Sequence, residues 1–123
     1  MISHTTLGTN NIEKADSFYF DILGAIGGTR FYKDESVVFW EFGDASAKLA
    51  ISVPFDGKLA NHGNGSMVAL RLTSNAKVDE VFARALGLGA TSEGEPGERN
   101  NGAFYGAYFR DLDNNKIAIF HKV

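Results

Sequence analysis

Apolar and polar positions alternate through residues 2–8, a stretch with the β-branched residues Ile2, Thr5 and Thr6, and this pattern predicts a strand. The period then changes. Ile12, Ala15, Phe18, Tyr19, Ile22 and Leu23 recur at helical spacing on one face. Asn10 or Asn11 is the expected N-cap, and Glu13 is placed to complete a capping box if Asn10 is the cap. Gly24 is the expected stop, since it takes the left-handed conformation without a Cβ clash. Three apolar, β-rich stretches follow at about 28–33, 36–43 and 46–53, separated by the turn signals Lys33-Asp34-Glu35 and Gly43-Asp44.

From Pro54 to Ser66 there is little periodicity, and glycine and asparagine are frequent. The first pattern then repeats. A strand is predicted over 67–73, and a helix capped by Ser74 or Asn75 buries Val78, Val81, Phe82, Ala85 and Leu86 before Gly87 and Gly89 end it. Strands follow near 90–93, 103–110 and 116–122, with an irregular loop from Glu93 to Gly102 and a tight turn over Asp111-Leu112-Asp113-Asn114-Asn115. At an offset of 63 residues His4 meets Met67, Phe18 meets Val81, Tyr19 meets Phe82, Leu23 meets Leu86 and Gly24 meets Gly87. The chain is therefore expected to be α+β, a duplicated module of one strand, one helix and three strands. Module one covers about residues 1–55, the linker 56–65 and module two about 66–123. A helix covers one face of each small sheet. Two free faces curling together would enclose a cleft, the kind of concave apolar space in which small molecules bind.

Composition narrows the function classes. At 123 residues, with 44% hydrophobic and 22% charged residues, the chain matches one globular domain. No apolar run is long enough to cross a bilayer, and no basic flank precedes an apolar stretch at the N-terminus, so a cytoplasmic location is expected. The absence of cysteine excludes disulfides and thiolate metal sites. A net charge of −3 with scattered Lys and Arg argues against nucleic acid as a partner. The glycine-rich segments near Gly24 and Gly87 follow helices instead of opening them, so they are terminators and not phosphate cradles.

The opening around His4, followed by Ala15-Asp16-Ser17-Phe18-Tyr19-Phe20-Asp21-Ile22-Leu23-Gly24, resembles that of the vicinal oxygen chelate proteins, the glyoxalase / bleomycin resistance / extradiol dioxygenase superfamily. Gly63-Asn64-Gly65, Pro96-Gly97-Glu98-Arg99 and Tyr105-Gly106-Ala107 extend the likeness. Asp111-Leu112-Asp113-Asn114-Asn115-Lys116-Ile117-Ala118 is similar to the family's closing motif Asp-Pro-Asp-Gly-Asn-Lys-Ile-Glu. The resemblance implies paired βαβββ modules forming a cupped mixed sheet with helices outside, commonly completed in a homodimer. It also implies up to four metal-ligand positions, which fall on His4, Ala50, Met67 and Ala118. Only His4 has a family-type ligand. Alanine offers no donor, and a thioether suits Zn, Mn, Fe(II) or Ni poorly. His62 lies in the linker and His121 is out of phase with Ala118, so neither is expected to compensate.

The expected pocket is metal-free. It comprises His4, Ala50, Met67 and Ala118, with Trp40 and Tyr105 as aromatic surface and Arg99 in a loop that closes over the cup. Phe39 and Tyr108 are further aromatic candidates, and Glu41 is a candidate for a cationic ligand if its strand phase turns it inward. His4 has two readings, a group that hydrogen-bonds a ligand or acts as a base, and a histidine satisfied by Thr6 or backbone. The leading functional expectation is a protein that binds a small organic molecule without a tightly held metal. The alternatives are a metal-dependent glyoxalase/lyase or dioxygenase-type enzyme, with a divalent metal as cofactor, and a degenerate structural or regulatory dimer. No membrane partner is expected.

Overall fold

In the computed structural model, which describes residues 1–123, both helices form where the 3.6-residue period places them: α1 (Ile12–Gly24) and α2 (Asn75–Gly87). The chain divides into two compact units, Met1–His62 and Gly63–Val123. Each has one strand, one helix and three further strands. The first unit contains β1 (His4–Gly8), α1, β2 (Thr29–Lys33), β3 (Val37–Phe42) and β4 (Ala45–Ser52). The second contains β5 (Val68–Arg71), α2, β6 (Thr91–Arg99), β7 (Phe104–Arg110) and β8 (Lys116–His121). Each unit has its own four-stranded mixed sheet, in the order β1-β4-β3-β2 in one and β5-β8-β7-β6 in the other. The first pair of each sheet, β1 with β4 and β5 with β8, is parallel and the remaining pairs are antiparallel. No helix is long and apolar enough to cross a membrane.

The cap of α1 is Asn11, whose Oδ1 accepts the Lys14 N–H at 3.1 Å. Asn10 is instead drawn to Ala60, accepting its N–H at 2.7 Å and donating to its carbonyl at 3.3 Å. The capping box with Glu13 therefore does not form, and Glu13 meets Lys33 at 3.3 Å. Gly24 is also not the left-handed stop. That conformation falls to Gly27 (φ 86°), and the Gly28 N–H closes the helix end on the Leu23 carbonyl at 2.7 Å. A Cβ on Gly28 would lie 2.9 Å from that same carbonyl oxygen, so this tight return admits only hydrogen.

Strand register sorts the first sheet into two faces. Val38 pairs with Ile51 and Trp40 with Leu49, and all four are buried. Opposite them, α1 buries Ala15, Phe18, Tyr19, Ile22 and Leu23. The Trp40 ring lies 6.0 Å from that of Tyr19, and Trp40 is only 1% exposed. It is a core residue, which corrects its expected place in a ligand pocket. A β-bulge shifts the β2–β3 register between Arg30 and Tyr32. Arg30 therefore pairs with Trp40 and Lys33 with Val38, so both cations lie on the α1 side although they are three residues apart.

Both cations converge on Asp16, a buried residue of α1. Arg30 reaches its two carboxylate oxygens at 2.8 Å each, and Lys33 Nζ donates at 2.7 Å. Burial pushes the Asp16 carboxyl up. The hydrogen bonds from Lys33 and Arg30 outweigh that effect and hold its pKa below the ordinary 3.8.

In the second unit Ser74 caps α2, its Oγ accepting the Lys77 N–H at 3.0 Å. Gly89 (φ 108°) takes the left-handed position after the helix. Val78, Val81, Phe82 and Ala85 bury against a sheet face that includes Ala107, Phe109, Ile117 and Ile119. Most of the loop expected over Glu93 to Gly102 is strand. β6 runs on to Arg99 because register shifts on either side of Gly94 absorb the local irregularity, including Pro96, which has no N–H for the ladder. The turn itself is Asn100-Asn101-Gly102, all three at positive φ. The Asp111 turn forms as expected, with Oδ1 accepting the N–H groups of Asp113 and Asn115.

Asp16→Asn should lower stability by about 2 kcal/mol near neutral pH, because it leaves Arg30 and Lys33, both partly solvated, without their counter-charge. The folded pKa of Asp16 lies below its unfolded value. Its contribution is therefore complete above the ordinary carboxylate range and is lost as pH falls through the folded value. Urea midpoints of both proteins, measured near neutrality and in acid, check this. The gap between them should close in acid, and equal midpoints at neutral pH would contradict it.

Candidate functional site

The face of the first sheet turned away from α1 is assembled by register. His4 pairs with Lys48, Thr6 with Ala50, and Ala50 with Phe39 on the adjoining strand. Beyond the bulge Tyr32 pairs with Phe39. Tyr32 thus shares the Phe39 face while its neighbour Lys33 faces α1, and the bulged Phe31 joins Tyr32 beside Phe39. Together with Ser3, His4 and Lys48 they line an open hollow of about 460 Å³.

Phe39 is the centre of this hollow. The rings of His4, Phe31 and Tyr32 lie 5.3, 5.7 and 6.2 Å from it, in edge-on or tilted arrangements. Tyr32 is held in place by its hydroxyl, which donates to Asp34 Oδ2 at 2.7 Å. That hydrogen bond pushes the Tyr32 phenol pKa above its ordinary value and the Asp34 carboxyl below its own. Asp34 Oδ1 also accepts the N–H groups of Ser36 and Val37 and so shapes the β2–β3 turn. His4 is exposed, and its Nδ1 shares a 3.1 Å hydrogen bond with Ser3 Oγ, not with Thr6. Lys48 is half-buried, and the one bond of its ammonium is a long 3.4 Å contact with the Ser46 carbonyl.

The second unit repeats this face with different contents. Ala69, Ala118, Tyr108 and Gly94 form one cross-strand row, with Ala118 buried. Met67, which is 47% exposed, precedes β5. The Arg99 guanidinium and the Lys116 ammonium lie 5.7 and 5.5 Å from the Tyr108 ring. Arg99 is the last residue of β6 and not part of the loop expected to close over the cup, and its guanidinium turns back to the Glu95 carbonyl at 2.6 Å. Tyr105 points the other way. Its hydroxyl donates to Asp79 of α2 at 2.7 Å, which raises its phenol pKa and places it on the helix side, correcting its expected place in the pocket. His121 is on that side too, bonded to Asn75 at 2.9 Å, as its alternation with Ala118 predicts.

Of the residues expected to line one pocket, His4 is at the hollow, and Ala50 lies in the cross-strand row beside Phe39. Met67, Arg99 and Ala118 belong to the second unit, while Trp40 and Tyr105 face helices. Phe31, Tyr32 and Lys48 were not identified from the sequence as pocket residues. The signal available for them was the pair Arg30 and Lys33, which strict strand alternation would place on opposite faces.

At the four positions where the resemblance places metal ligands, the donor set does not fit a divalent metal. It consists of one imidazole (His4), two methyl groups (Ala50 and Ala118) and one thioether (Met67), where such an ion takes about three nitrogen or oxygen ligands. No group of three or more His, Cys, Asp or Glu side chains comes together elsewhere.

The family model described as the Glyoxalase/Bleomycin resistance protein/Dioxygenase superfamily matches residues 1–119. No curated protein matches the chain. Among solved structures, a glyoxalase/bleomycin resistance protein from Albidiferax ferrireducens is 33% identical, with a TM-score of 0.91 over 100% of this chain and 99% of that one. A glyoxalase/bleomycin resistance protein/dioxygenase family enzyme from Burkholderia phytofirmans shares the fold at 17% identity, with a TM-score of 0.80 over 98% of each chain. A lactoylglutathione lyase from Agrobacterium tumefaciens does so at 22% identity, with a TM-score of 0.72 over 98% of this chain and 92% of that one. The repeated βαβββ units, the family-model match and the 33% identity over the full chain make this protein a member of the glyoxalase/bleomycin resistance protein/dioxygenase superfamily.

Proposed function

We propose that this chain binds a small organic molecule on the open face of its first sheet and does so without a resident metal. The observation that carries this reading is the hollow around Phe39, an apolar floor with a few polar groups at its rim. Phe31, Tyr32 and Phe39 offer ring surface to a ligand, while His4, Ser3 and Lys48 supply the few hydrogen-bonding groups that fix orientation. His4 Nδ1 is engaged by Ser3, and its Nε2 has no protein partner. A metal-dependent lyase or dioxygenase mechanism finds no donor set in these residues.

Elemental analysis after mild dialysis is the first test. The expected result is far less than one Zn, Ni, Fe or Mn per chain, and a stoichiometric metal would overturn the metal-free reading. A thermal-shift screen of aromatic and thiol-conjugate compounds should then find ligands that raise the melting temperature, since binding to the folded state alone must stabilise it. Stabilisation by none of them would favour a structural role.

Two substitutions locate the site. His4→Ala should leave stability within about 0.5 kcal/mol of the parent, because the side chain is exposed, yet alter ligand affinity. Phe39→Ala should weaken the same ligand about tenfold or more by removing the central ring. Wild-type affinity in both variants, measured by calorimetry, would place binding elsewhere.

A further inference from the structure

We propose that the hollow of the first unit selects organic anions, taking an aromatic carboxylate with its ring against Phe31, Tyr32 and Phe39 and its charge on Lys48. This rests on the binding reading given above and adds the charge and class of the ligand.

The first observation is the state of Lys48. Its side chain is half-buried beside His4, yet no carboxylate lies within salt-bridge distance of Nζ, and its single protein bond is the 3.4 Å contact with the Ser46 carbonyl. An ammonium without a counter-charge beside an apolar ring cluster gains from an incoming anion. None of the six residues lining the hollow is acidic. The one carboxylate bonded to a lining residue, Asp34, already accepts the Tyr32 hydroxyl and the N–H groups of Ser36 and Val37. The Lys48 ammonium is thus without a bonded counter-charge in a chain whose net charge is −3.

The second observation is the contrast with the other unit. Lys48 stands two residues before Ala50, which pairs with Phe39; Lys116 stands two residues before Ala118, which pairs with Tyr108. The two lysines are therefore counterparts. Lys116 has its ammonium 5.5 Å from the Tyr108 ring, and Arg99 takes up position 5.7 Å from the same ring. There the chain's own cations occupy the aromatic. Around Phe39 the neighbours are the rings of His4, Phe31 and Tyr32, and no cation sits over its face. The first unit alone leaves both an aromatic surface and a cation for something else to use. A ring cluster without Lys48 would suit an organic cation. The ammonium at its rim reverses that preference.

The test is a titration of the isotope-labelled intact chain with three probes of one shape, naphthoate, naphthylmethanol and naphthylmethylammonium, following the backbone amides of His4, Phe39 and Lys48 by NMR. Naphthoate should bind about tenfold more tightly than the alcohol, and the ammonium more weakly than either. Lys48→Met should erase the naphthoate advantage, so that naphthoate binds no more tightly than the alcohol to the same variant, while Lys48→Arg should preserve the advantage. Lys48→Gln replaces the methionine variant if the latter does not fold. Equal binding of naphthoate and alcohol at these amides would overturn anion selection and leave the binding reading standing. An undiminished naphthoate advantage in Lys48→Met would also overturn the proposal. If no probe moves these amides, both readings fall together.

Discussion

The Asp16 carboxylate, buried under α1, is reached by Arg30 from one side of the β2 bulge and by Lys33 from the other, and much of the first unit's chemistry depends on that clamp. Strand geometry places residues three apart on opposite faces. The extra residue in β2 cancels that rule, so both cations lie on the helix side and Phe31 and Tyr32 lie beside Phe39 on the other. The ion cluster and the aromatic hollow are thus two consequences of one irregularity. An uncharged residue at 16 would remove the counter-charge for which Arg30 and Lys33 converge, and with it the tie between the bulge and the helix. The net energy of the cluster is modest, since desolvation of Asp16 opposes the attraction. Its larger effect is geometric.

Most of the architecture was legible because it follows from periodicity. Ala15, Phe18, Tyr19, Ile22 and Leu23 fall on one helical face and are buried there, and Val78, Val81, Phe82 and Ala85 repeat the pattern 63 residues later. Capping was legible only to within a residue. Asn10 and Asn11 are chemically equivalent candidates, and what separates them is the tertiary contact of Asn10 with Ala60, invisible to local pattern. The length of β6 was missed for a related reason. A segment rich in glycine and containing Pro96 has loop composition, yet register shifts let it stay paired with β7 out to Arg99.

The candidate site was less legible than the fold because faces depend on register, and one bulge changes register for every residue after it. Trp40 and Tyr105 are large aromatics in sheet strands, and composition gives no sign of which face they take. Pairing does: Trp40 lies in the row of Leu49 and meets Tyr19, and Tyr105 lies in the row of His121 and reaches Asp79. His4, expected as a pocket residue and the lone family-type ligand, starts β1 at the rim of the hollow, and its aromatic setting comes from Phe39 with Phe31 and Tyr32 beside it.

The two units show how one backbone plan supports different surface chemistry. Ala50 and Ala118 occupy equivalent rows, each beside an aromatic, Phe39 in one and Tyr108 in the other. Side chains directly opposite one another on neighbouring strands stand roughly 5 Å apart at Cβ, so a methyl group in that row leaves the adjacent ring open to contacts from above the sheet. In the second unit those contacts are Arg99 and Lys116. In the first they are other rings, edge-on or tilted, with Lys48 to one side. At two of the four positions where the superfamily resemblance places metal donors, this chain has alanines, too short to coordinate, with an aromatic ring beside each. On the binding reading proposed above, recognition on this face rests on stacking, a few hydrogen bonds and a single charge. Those forces orient a planar ligand but do not polarise a bond in it as a metal ion would, and that difference is why a binding role accords with these residues better than a metal-dependent reaction.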